Sequence, residues 1–170
     1  MILKIRVILD TEQDVFRDIE INEDNTLLDF HKEIKTAFNL EGDEMASFFL
    51  SNEQWFQGSE IPMEDMSGEP DAEIMSNTTL KAVTPKKGGR MIYLYDFLAM
   101  WTFYCEVVDV LKPDNSKEYP LVSLAYGERP ENAPEKESMD FSLDEDGLDF
   151  DDDFDDEEED YFDEDPYSYY

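Results

Sequence analysis

Nine of the ten residues from Asp151 to Asp160 are acidic, and a folded core is expected only in the chain before this run. Like charges at this density repel one another, and the segment offers too little apolar area to offset the entropy of ordering. Residues 135–170 hold 19 acidic residues and a single basic one, Lys136, a net charge of −18. Residues 1–134 hold 26 acidic and 12 basic residues, a net −14, which completes the total of −32. The expected organisation is therefore a folded domain over 1–134 and a disordered, low-complexity acidic tail over 135–170, with Pro130 and Pro134 marking the boundary.

A field of this sign repels phosphates, so direct binding to nucleic acid or to an anionic membrane surface is not expected. No apolar run approaches the roughly 18 to 20 residues that a membrane span needs. Lys4 and Arg6 interrupt the opening apolar run, so no signal peptide is expected. One cysteine, Cys105, permits no internal disulfide, and this fits a cytoplasmic setting.

Residues 2–9 alternate, with Leu3, Ile5, Val7 and Leu9 on one side and Lys4 and Arg6 on the other, the pattern of a half-buried strand. A second strand is read over 15–21 and pairs with the first as a hairpin. Thr26 followed by Asp29 reads as a start resembling a capping box, and Leu27, Phe30, Ile34 and Phe38 recur at helical spacing. A helix is expected from Thr26 to Asn39, ending near Gly42. Ser47–Leu50 and Gln54–Phe56 read as short strands, and 57–77 as a loop with a helical turn near Met63–Met66. Thr79–Val83 is a strand or a turn, and Pro85–Gly89 a turn. Two strong strands follow, Ile92–Phe97 and Trp101–Val108, joined tightly through Leu98–Met100. Tyr119–Tyr126 is the last strand.

One helix after a hairpin, followed by further strands, predicts an α+β fold. The expectation is a small mixed or antiparallel sheet with one main helix packed on it, in β-grasp, ubiquitin-like topology. The predicted core is Leu3, Ile5, Val7, Val15, Ile19, Leu27, Phe30, Ile34, Phe38, Phe97, Trp101, Phe103 and Val107.

Chemistry-bearing residues are sparse. His31 is the only histidine, and a metal centre ordinarily needs three or four donors. Cys105 shares a strand face with Trp101, Phe103 and Val107, the pattern of a buried small hydrophobe. Asp96, between Tyr95 and Phe97, is the carboxylate best placed for acid–base work; its other reading is a turn carboxylate that accepts backbone hydrogen bonds. Ser142–Asp153 resembles a calcium loop only faintly, because Ser142 replaces the first aspartate and Asp149 the apolar eighth position. No catalytic residue, metal or cofactor is expected.

Lys86, Lys87 and Arg90 form a small basic cluster suited to an acidic partner or to this chain's own tail. The tail's aromatics, Phe154 and Tyr161 among them, either serve only as part of a solubilising segment or dock onto a basic, apolar groove. The candidate interaction surface is Tyr95, Asp96, Trp101, Lys86, Lys87, Arg90, Phe154 and Tyr161, and the expected partner is a basic protein.

The helix Thr26-Leu27-Leu28-Asp29-Phe30-His31-Lys32-Glu33-Ile34-Lys35-Thr36-Ala37-Phe38, and Tyr93-Leu94-Tyr95-Asp96-Phe97 with Trp101 four residues on, together resemble the plasmid pRiA4b ORF-3-like family over residues 1–134. The resemblance implies a small α+β domain similar to ubiquitin-like folds. Some members are labelled transposon resolvases. This chain departs from the pattern at Leu98, Ala99 and Phe103, where the family has Gly, Asp and His, and Arg129–Pro134 replaces a Pro-Pro-Glu-Asp-Gly-Gly-like stretch. The expected function is a non-catalytic protein-binding module. The alternatives are a resolvase-labelled, transposon- or plasmid-associated protein, or a nucleic-acid mimic.

Overall fold

The structure is a computed structural model and describes residues 1–135. Seven strands form one sheet: β1 (Ile2–Leu9), β2 (Phe16–Asn22), β3 (Ala46–Ser51), β4 (Glu60–Pro62), β5 (Arg90–Tyr95), β6 (Trp101–Leu111) and β7 (Leu121–Tyr126). Helix α1 spans Leu27–Phe38, and a single turn, α2, spans Leu80–Val83.

Helix α1 begins where its capping box places it. The Asp29 amide donates to the Thr26 hydroxyl at 3.2 Å, and the Thr26 amide donates to the Asp29 carboxylate at 3.0 Å. These bonds satisfy donors that a helix start leaves without partners. At the other end Asn39 adopts φ 51°, the left-handed geometry that closes many helices. Leu27, Phe30, Ile34 and Phe38 are all buried against the sheet.

The strand order is β4-β3-β5-β6-β1-β2-β7, and all six neighbouring pairs are antiparallel. This corrects the expected architecture. The sheet is large, entirely antiparallel and mostly β, with one main helix among the described residues, and its topology is not β-grasp. The expectation was a small sheet. Instead β6 pairs along the whole of β1, from Ile2↔Leu111 to Leu9↔Phe103, and joins both hairpins edge to edge.

The core face collects Leu3, Ile5, Val7 and Leu9 from β1 with Phe48, Tyr93, Phe103, Cys105 and Val107, all under α1 and its flanking loop. Met75, in a turn of 3₁₀ helix at Met75–Asn77, and Leu80 complete it, both with no exposed area. The expected core residues are buried with one exception: Phe97 is 43% exposed. The chain leaves the sheet at Tyr95, because Asp96 takes φ 58° and turns it away.

Two other segments differ from their sequence patterns. Gln54–Phe56 is a turn, in which Asn52 Oδ1 accepts from the Gln54 and Phe56 amides and Trp55 has φ 59°. The helical turns of the long connection lie at 75–77 and 80–83 rather than near Met63–Met66.

Gly127 ends β7 at φ 74°, and a Cβ there would sit 2.3 Å from the Asp14 carbonyl oxygen. Only glycine allows this approach of backbone to backbone. Gly127→Ala is therefore expected to destabilise the protein by about 1 to 3 kcal/mol in denaturant titration. A change near zero would show that this contact yields freely.

Candidate functional site

Tyr95, Asp96 and Trp101 meet where β5 turns into β6. The Asp96 carboxylate accepts the amides of Leu98 and Ala99 at 3.1 and 3.2 Å. Its own amide donates to the Met45 carbonyl, and its carbonyl accepts from the Met100 amide at 2.6 Å. Asp96 therefore organises a tight turn at a left-handed position that aspartate tolerates better than most residues. The turn displays Phe97 and Leu98, the latter 97% exposed.

Tyr95 is buried, and its hydroxyl lies 2.7 and 2.8 Å from the carbonyls of Glu41 and Gly42. Trp101 is buried under Arg129, whose guanidinium lies 5.1 Å from the ring centroid. Tyr95, Trp101 and Arg129 line a cavity of about 150 Å³ together with Glu41, Asp96 and Glu131.

Arg129 is the residue here that sequence reasoning missed. Its Nε donates to the Phe38 carbonyl at 2.8 Å and its Nη2 to the Asn39 carbonyl at 3.0 Å. It thus caps the negative end of α1 while stacking on Trp101. A sequence signal did exist in an arginine followed by proline after the last strand, but its partners lie 91 and 90 residues away. Arg129→Ala is expected to lower stability by about 1 to 2 kcal/mol, and Arg129→Lys to recover only part of it, since an ammonium lacks the planar fork. Thermal melts in which lysine restores full stability would assign Arg129 a purely charge-based role.

The basic cluster lies elsewhere. Lys86 and Lys87 are exposed in the turn before β5, pinned by the Gly88 amide donating to the Val107 carbonyl. Arg90 is already engaged, donating to the Glu53 carbonyl, pairing with Glu106 at 3.4 Å and stacking on Trp55 at 4.8 Å. Arg90 and Tyr95 are the first and last residues of β5, about 17 Å apart at strand rise. The expected surface is thus split between opposite ends of one hairpin. Phe154, Tyr161 and the calcium-like stretch lie outside the described residues.

His31 and Cys105 face inward. His31 is 5% exposed, and its Nδ1 lies 2.6 Å from the Tyr93 hydroxyl. Burial, reinforced by Lys35 and Lys32, lowers its pKa from 6.5 to about 4. Burial pushes the Cys105 thiol up and disfavours its thiolate. Among the described residues no group of three or more His, Cys, Asp or Glu side chains is placed to hold a metal ion, and no helix is long and apolar enough to cross a membrane.

Fold and site together define a class: a wide antiparallel sheet carrying one capped helix, with an aspartate-anchored hairpin and an arginine clamp at one end. The chain belongs to the plasmid pRiA4b ORF-3-like protein family, whose pattern matches residues 1–138. It is similar in structure to a protein of unknown function, MM3350 from Methanosarcina mazei Go1, seen in a crystal structure. The TM-score is 0.62 and the identity 20%, over 73% of this chain and 68% of that one, a likeness of fold alone. No curated protein matches this chain.

Proposed function

We propose that this chain is a non-catalytic protein-binding module that works in the cytoplasm on a basic partner. The observation that supports this best is the display of large apolar side chains on backbone anchored by the fold. Leu98 is 97% exposed, Tyr126 56%, Leu124 46% and Phe97 43%. Apolar groups held out in this way favour association with another surface.

The chemistry-bearing groups point the same way. The Asp96 carboxylate is occupied by two turn amides, His31 is buried against Tyr93, and Cys105 lies in the core. The net charge of −32 supplies a long-range field that attracts cationic proteins and speeds their encounter.

The test is affinity capture with the full chain in steps of rising salt, followed by direct binding with each captured protein purified. A basic partner that binds in isolation and weakens as salt screens the field is the expected result. Displacement of that partner by DNA would indicate nucleic-acid mimicry instead. A substrate turned over by the chain, with activity abolished by Asp96→Asn, would overturn the non-catalytic reading.

A further inference from the structure

The two edges of the sheet are built differently. β4 has three residues, and two of them are Glu60 and Pro62, a charge and a residue without an N–H. Features of this kind blunt an edge against further pairing. β7 has six residues, Leu-Val-Ser-Leu-Ala-Tyr, with neither charge nor proline among them. Val122, Leu124 and Tyr126 are 38%, 46% and 56% exposed.

The register shows which backbone groups of β7 face outward. The Leu9 amide donates to the Val15 carbonyl, so odd-numbered residues of β2 direct their backbone groups toward β1. Phe16, Asp18 and Glu20 therefore direct theirs toward β7, opposite Tyr126, Leu124 and Leu121. The register shift between Asp18 and Ile19 absorbs Ser123, whose hydroxyl lies 3.3 Å from the Asp18 carbonyl. Val122 and Ala125 are left with their N–H and C=O groups directed away from the sheet. On the face opposite α1, Tyr126 stacks on Phe16 at 5.3 Å.

Charge selects the occupant. Exposed Glu118 and Glu128 flank the strand, Asp114 is exposed just before it, and the nearby Lys117 is paired with Glu20. A second copy of this chain fits poorly, because antiparallel β7–β7 pairing would bring Glu118 of one copy near Glu128 of the other, and each copy carries −32. We propose that β7 is an acceptor edge for an extended segment of a basic protein. That segment pairs through its main chain with Val122 and Ala125, lays apolar side chains against Leu124 and Tyr126, and sets lysine or arginine against Glu118 and Glu128. The inference rests on the reading of the chain as a protein-binding module and names the surface used.

Amide exchange on the isotope-labelled full chain tests it. The probe is a synthetic peptide of about ten residues alternating valine and threonine, with two lysines at each end. One control carries proline at its centre, and the other replaces each lysine by glutamate. With the basic strand peptide at saturation, the Val122 and Ala125 amides should exchange at least about tenfold more slowly, and neither control should protect them. Leu124→Lys, at an exposed position, should weaken the peptide at least about tenfold without altering the melting profile. Binding that perturbs only residues 151–160, or only the Asp96 hairpin, would overturn the acceptor edge and leave the binding reading standing. No perturbation anywhere by the basic peptide would overturn the edge, and failure of the capture experiment as well would remove the binding reading.

Discussion

Replacing Phe38 by alanine is expected to lower the unfolding free energy by about 3 to 5 kcal/mol. Phe38 is the last residue of α1 and only 1% exposed, with its ring 4.8 Å from that of Phe103. The Arg17 guanidinium lies 4.9 Å over the same ring, and the Phe38 carbonyl accepts from Arg129. Truncation leaves a cavity between helix and sheet and removes the surface on which Arg17 packs. A shift in the denaturant midpoint with an unchanged slope would report the loss as one of stability. A change below about 1 kcal/mol would mean that the surroundings collapse into the space, which close packing resists.

Acid is expected to act on this fold through His31. The folded state holds its pKa near 4, against 6.5 for an unperturbed imidazole. Between these values the unfolded chain binds more protons than the folded one, so stability rises with pH across this window. The contribution is fully present above pH 6.5 and is lost as pH falls toward 4, for a total of about 3 kcal/mol. Desolvation is the main cause, Lys35 and Lys32 add to it, and Asp43 opposes it. The many carboxylates also titrate on acidification, so the measurement is the difference between the wild type and His31→Gln at each pH. That difference should shift against the wild type by about 3 kcal/mol from pH 7 to pH 4. A pH-independent difference would show that His31 is hydrated in solution.

Much of the fold was legible because it is local. The Thr26–Asp29 capping box needs residues three apart, and both of its bonds are present. The alternation of β1 separates buried Leu3, Ile5 and Val7 from half-exposed Lys4 and Arg6. Pattern failed where one side chain redirects the backbone. Asn52 gathers the Gln54 and Phe56 amides and turns an aromatic run into a loop, and Asp96 does the same just before Phe97. Met75 and Leu80 sit in a connection without periodicity, so nothing local marked them as core.

The candidate site divides in the same way. Tyr95, Asp96 and Trp101 are close in sequence and remain together around one turn. Lys86, Lys87 and Arg90 are nearly as close in sequence, yet an extended strand places them at the far end.

By itself the sequence determined the elements whose causes lie within a few residues: the capped helix and the alternating strands. Only the tertiary structure decided the strand order, the breadth of the sheet, the clamp of Arg129 on a helix end 91 residues away, and the exposure of β7 as an edge. Periodicity states which face of a strand is buried but not which strand lies beside it. That choice is made by long-range pairing such as β6 along β1, whose entropy of closure and burial of apolar faces are balanced over the whole chain at once.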